Sequence, residues 1–143
     1  MWNRPDPEML LPKELDDLLF DSPPTTMPEV LRRVLELGVT RVSMDDPRFD
    51  AVWAATRDAR RPTVAEARAL RALARSLADA FDAAPEDVDA WERAELTEAL
   101  LGVLDTDVGA GAYEAVFHVR RIVEDDAAVL ALVRAATTSA PPG

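Results

Sequence analysis

Between Leu11 and Val133 the apolar residues of this chain recur at steps of three and four, the period of a helix that buries one side. That pattern constrains the fold more than any other feature. Leu11, Leu15, Leu18 and Leu19 share one side of a short helix, which the sequence DSPPTT interrupts. Val30, Leu31, Val34 and Leu35 form a second stripe, with Thr26 and Glu29 at capping-box spacing and Gly38 placed to end the helix. Asp46 and Pro47 read as the cap and first position of a third helix, with Phe49, Val52, Trp53 and Thr56 on one face and RRP at its end. Thr63 and Glu66 make a further capping box, opening a long helix whose buried side is expected to be Leu70, Leu73, Leu77 and Phe81.

Pro85 restarts the chain, with Glu86 and Asp87 in a first turn where the helix dipole favours negative charge. The residues expected to point inward there are Val88, Trp91, Leu96, Leu100 and Val103. DTDVGAG reads as a flexible break, after which Val116, Val119 and Val123 carry the pattern on to Leu130 and Val133. Asp125 or Asp126 can cap a separate last helix, and one uninterrupted helix fits the pattern too. The one β-branched, alternating piece is VTRVSM; a lone strand would have no ladder partner, so it is taken as a connector. The expected fold is therefore all-α, a single compact irregular (orthogonal) bundle of about five to seven helices. Residues 1–136 form the domain, with an extended N-terminal segment, and 137–143 a disordered tail.

With 143 residues, 48% of them apolar, the chain is large enough to close one core without staples. It contains no cysteine, which excludes disulfides, thiolate zinc sites and thiol nucleophiles together. The start, MWNRPDPEML, lacks the cationic and apolar run of a signal peptide, and no apolar stretch approaches the ~20 residues of a membrane span. A cytoplasmic, unexported protein is the expectation. Arginine in place of lysine almost throughout suggests a GC-rich bacterial genome.

Few reactive constellations survive inspection. His118 is the sole histidine, and Glu114, His118, Arg121 and Asp125 follow at steps of four, three and four, so a solvated helix face accounts for them. Ser22, Ser43, Ser76 and Ser139 lie in no nucleophile motif. Asp105 and Asp107 occupy the first and third positions of a calcium loop, but Ala110 stands where the turn glycine belongs and Val116 where the bidentate glutamate belongs. Asp45, Asp46 and Asp50 lack a histidine ligand, and Asp46 already serves as a cap. No phosphate-binding glycine loop is present. No catalytic residue, cofactor or metal is expected.

Charge is the most informative remaining signal. The net charge is −11, which disfavours direct nucleic-acid or anionic membrane binding. Its distribution is uneven: residues 51–75 hold six Lys/Arg against two Asp/Glu, whereas residues 76–143 hold four against fourteen. Arg68, Arg71 and Arg75 align on one helical stripe, preceded by Arg57, Arg60 and Arg61. The simpler expectation is that this strip neutralises Glu92, Glu95 and Glu98 on the following helix. The functional alternative is that Arg60, Arg61, Arg68, Arg71 and Arg75 meet an anion or another subunit.

Trp53 and Trp91 are expected in the core, and Trp2 tucked into a groove or waiting for a partner. The expected function is that of a small acidic bacterial interaction domain, such as an adaptor, immunity protein or antitoxin-like inhibitor. It would dock a basic protein through Glu86, Asp87, Glu92, Glu95 and Glu98. Two alternatives stand beside it. One is a ligand-binding or enzymatic helical domain, with a pocket lined by Trp53, Trp91 and Phe117 and an anion held by Arg71. The other is a homo-oligomeric assembly component joined through the arginine strip.

Overall fold

Side-chain caps fix where most of the helices begin. The computed structural model describes residues 11–138, and among these it holds seven α-helices and no strand. They are α1 (Lys13–Asp21), α2 (Met27–Arg41), α3 (Pro47–Arg57), α4 (Val64–Ala83), α5 (Val88–Leu101), α6 (Val108–Val123) and α7 (Asp126–Thr138), with short 3-10 turns at Pro24–Thr26 and Gly102–Leu104. Asp46, Asp87 and Asp107 each accept backbone N–H bonds at the start of α3, α5 and α6. Thr63 and Glu66 form both halves of the capping box on α4. Asp125 accepts the Ala128 N–H, and Glu124 takes a left-handed conformation (φ 54°), so α6 and α7 are separate helices.

The bundle is assembled around α2 and α6. α2 packs on α5, α6 and α7; α6 packs on α2 and α5; α4 lies beside α5, α3 beside α4, and α1 against α7. Val30, Val34 and Leu35 meet Leu96, Leu100, Val116, Val119, Val129 and Val133 in one continuous core, and Phe49, Val52, Leu70 and Leu73 extend it to the outer helices. At ~1.5 to 3 kcal/mol for each fully buried Val, Leu or Phe, these stripes dominate the choice of helix orientation.

Several local expectations are corrected. Thr26 does not cap α2: its hydroxyl donates to the Pro23 carbonyl, and Glu29 turns instead to Arg32 and Arg33. Gly38 does not end α2, which runs on to Arg41 through the first residues of VTRVSM. The glycine is buried because a side chain there would press on Leu96 Cδ1 at 2.8 Å and Val119 Cγ2 at 3.2 Å. DTDVGAG is no flexible break either. Asp107 caps α6, Gly109 and Gly111 lie within that helix, and Gly111 sits against the backbone of Gly102 with no room for a Cβ on either residue. Val88 does not point inward; it is 65% exposed. α7 continues through Thr137 and Thr138, two residues into the expected tail, the rest of which lies outside the described residues, as does Trp2.

No helix among the described residues is long and apolar enough to cross a membrane.

Candidate functional site

The five glutamate and aspartate residues expected to form one acidic face are divided by the fold. Glu95 is drawn into the seam between α5 and α6. Its Oε2 lies 2.7 Å from His118 Nδ1 and its Oε1 3.2 Å from the Arg121 guanidinium. A carboxylate only accepts, so His118 Nδ1 carries the shared proton. Arg121 also lies over the Trp91 and Phe117 rings, with its guanidinium carbon 5.6 and 5.5 Å from their centroids. The His118 side chain is only 15% exposed, which corrects the expectation of a solvated face. The correction has a simple cause: α6 is flanked on both sides, by α2 and by α5, so its polar stripe is roofed by a neighbour.

Glu114 belongs to the same seam. Burial and then the nearby Asp105 carboxylate lift its carboxyl above the usual range; His118 opposes the shift and Glu98 adds to it. Among the described residues, no set of three His, Cys, Asp or Glu side chains could hold a metal ion. Asp105 and Asp107, the calcium-loop candidates, are engaged in ordering the chain: Asp105 accepts the Asp107 N–H, and Asp107 accepts those of Gly109 and Ala110. Ser22 donates its hydroxyl to the Leu18 carbonyl. The seam therefore holds a hydrogen-bonded Glu95–His118 pair flanked by Arg121.

The remaining acidic residues gather elsewhere. Glu86, Asp87 and Asp89 are exposed at the start of α5, and Asp79 and Asp82 are exposed on the last turns of α4. None of these five makes an ion pair among the described residues, and Val88 stands exposed in their midst. Glu92 lies on the flank of this tip, sharing a small groove with Arg41, Asp89 and Arg93. Asp87 has the added task of capping α5 through the Ala90 N–H.

The arginine strip does not pair with α5. Arg68, Arg71 and Arg75 are exposed and make no ion pair among the described residues, which corrects the simpler expectation. At ~100° per residue the strip lies roughly 160° around α4 from the inward stripe of Leu70, Leu73 and the partly buried Leu77. The energies decide the matter. Surface ion pairs contribute ~0.2 to 1 kcal/mol each, too little to rotate Leu70 and Leu73 out of the core. Among the described residues, Arg60 is the one member in an ion pair. It grips Glu66 at 2.8 and 3.2 Å, and together with the Thr63 N–H it holds the Glu66 carboxyl down at about 2.

Arg61, Arg68 and Arg71 line a groove of about 280 Å³, floored by Val64, Ala67, Val103 and Leu104. A second groove of about 500 Å³ adjoins it across Arg61 and Pro62 and adds Arg32, Arg57 and Arg60. The aromatic pocket expected around Trp53, Trp91 and Phe117 is not formed with Arg71. Trp53 is a core residue with Arg57 over its ring, and Trp91 borders a different groove from the one that Arg71 lines.

The sequence missed one polar network altogether. Tyr113, fully buried on α6, donates its hydroxyl to Asp16 of α1 at 3.0 Å and accepts the Leu11 N–H at 3.0 Å. Tyrosine in an otherwise alanine- and valine-rich stripe was the available signal, since a buried phenol needs a partner.

No family model, no curated protein and no solved structure matches this chain.

Proposed function

We propose that the chain is a non-enzymatic protein-interaction domain that docks a basic partner through the acidic tip at the junction of α4 and α5. One observation carries this reading: Asp79, Asp82, Glu86 and Asp89 are exposed and unpaired around an exposed Val88. Asp87 and Asp89 favour the start of α5 as its cap and first-turn acid, but gathering Asp79, Asp82 and Glu86 beside them costs the fold repulsion, and the valine stays wet. A complementary partner gains twice. The carboxylates steer its approach, and the valine supplies apolar area at the centre of the contact. The tip thus replaces the longer face first expected, since Glu95 is occupied within the seam and Glu98 lies beside Glu114.

The test is capture from the native host with the wild-type chain and with a tip variant, Asp82→Asn combined with Glu86→Gln, at low and high salt. A specific basic protein should be retained by the wild type at low salt and released by salt, and the variant should fail to retain it. Capture that is indifferent to both the variant and salt would remove the tip as the docking site.

A further inference from the structure

The two ends of α4 carry opposite signatures. At its N-terminal end, Val64 is 75% exposed and shares the outward stripe with Arg68 and Arg71; with Arg61 these side chains line the groove against Val103 and Leu104. At its C-terminal end stands the acidic tip, with Val88 65% exposed. Val64 and Val88 are the large apolar side chains most exposed among the described residues, and each sits inside one of the two charged patches. Neither patch is satisfied internally: Arg61, Arg68, Arg71, Asp79, Asp82 and Glu86 form no ion pair among the described residues. Nor can they satisfy each other within one chain. At ~1.5 Å rise per residue, Arg68 and Arg71 stand about 12 to 21 Å along α4 from Asp79 and Asp82, beyond the ~10 Å over which exposed charges interact at moderate salt.

From this we infer that the basic groove receives the acidic tip of a second copy of the chain, in a head-to-tail contact. The inference rests on the reading of the tip as a docking surface for basic groups and adds the groove of a second copy to what it docks. Charge complementarity selects the occupant, because the exposed, unpaired carboxylates of the tip match the exposed, unpaired guanidinium groups of the groove. The contact also brings Val88 of one copy toward Val64 of the next, so that each exposed valine finds apolar cover. Because the two surfaces differ, each copy keeps one free groove and one free tip, and association can continue past two.

The experiment is sedimentation of the full chain over a range of concentrations, at low and high salt. The average mass is expected to rise with concentration at low salt above the 15.7 kDa of one chain and past that of two. Added salt should return it to one. A groove variant, Arg68→Gln with Arg71→Gln, and the tip variant, Asp82→Asn with Glu86→Gln, are each expected to stay single. Mixed in equal amounts they should form a pair and nothing larger, since only one competent groove and one competent tip remain between them. All four substituted side chains are exposed, and a helical circular dichroism spectrum checks that each variant folds. A wild type that stays single at every concentration, a groove variant that assembles like the wild type, or a mixture that does not pair would each overturn the inference. The wider reading of the tip has its own readout: the groove variant keeps its tip, so it should still retain a basic host protein even where self-association is lost.

Discussion

Glu114 shows how a residue's chemistry follows from what the fold sets beside it. Its spacing from His118 and Arg121 suggested one more solvated carboxylate, yet burial and the Asp105 carboxylate raise its pKa. A carboxyl raised in the folded state favours the fold while it is protonated. The benefit is complete below the unfolded value of ~4.3 and is lost as pH rises through the higher folded value. Glu114→Gln is therefore expected to raise the melting temperature at pH 7, with the gap to wild type closing as the pH approaches 4. A variant no more stable than wild type at pH 7 would contradict this. Glu66 has the opposite sign. Arg60 and the Thr63 N–H favour its charged form, so its contribution is present above ~4.3 and is lost as pH falls toward about 2. An NMR titration of the Glu66 carboxyl should place its midpoint far below those of the unpaired carboxylates.

At the scale of elements, the tightest constraint is the approach of the Gly102–Leu104 turn to the first turns of α6. A Cβ on Gly111 would strike the Gly102 carbonyl oxygen, which is backbone and cannot rotate away. A Cβ on Gly38 would meet the ends of the Leu96 and Val119 side chains, which can yield by a few tenths of an ångström. Helix propensity also favours alanine over glycine within α2 by ~1 kcal/mol. Gly111→Ala is thus expected to destabilise by ~1 to 3 kcal/mol or more, as overpacking does, and Gly38→Ala by clearly less. Urea denaturation of the two variants checks the order, and an equal loss would contradict it. The capping signals Asp46–Pro47 and Thr63–Glu66 were legible in the sequence because a cap is a local bond between residues two or three apart. Thr26–Glu29 had the same spacing and failed, because Arg32 and Arg33 compete for Glu29 one turn further on. Glycine carries no label either: Gly38 and Gly111 read as breaks in the sequence, but each is a close approach to residues outside its own turn, Leu96 and Val119 for Gly38 and Gly102 for Gly111.

For the molecule as a whole, the polar link between α1 and the centre is the buried bond from Tyr113 to Asp16, joined by the Leu11 N–H, beside the core packing of Leu15 and Leu19. Tyr113→Phe keeps the ring's packing and removes the hydroxyl, at an expected cost of ~1 to 3 kcal/mol. Amide exchange should then speed up in α1 ahead of α2 and α6, whereas uniform exchange across the chain would show that the bond does not tether α1. The sequence by itself determined the helical class, the number of helices within its stated range, most of the core stripe and the uneven charge, because each of these is a property of residues within one or two turns of one another. It also contained, unread, the outward direction of the arginine strip, since Leu70, Leu73 and Leu77 already fix which side of α4 is buried. Only the tertiary structure decided which charges find partners. Glu95 is taken by His118 and Arg121 because α5 packs on α6, while among the described residues no ion pair forms at the groove at one end of α4 or at the tip at the other. Pairing is settled by which helices are neighbours, and burial of the apolar stripes chooses the neighbours at energies that surface charges do not match.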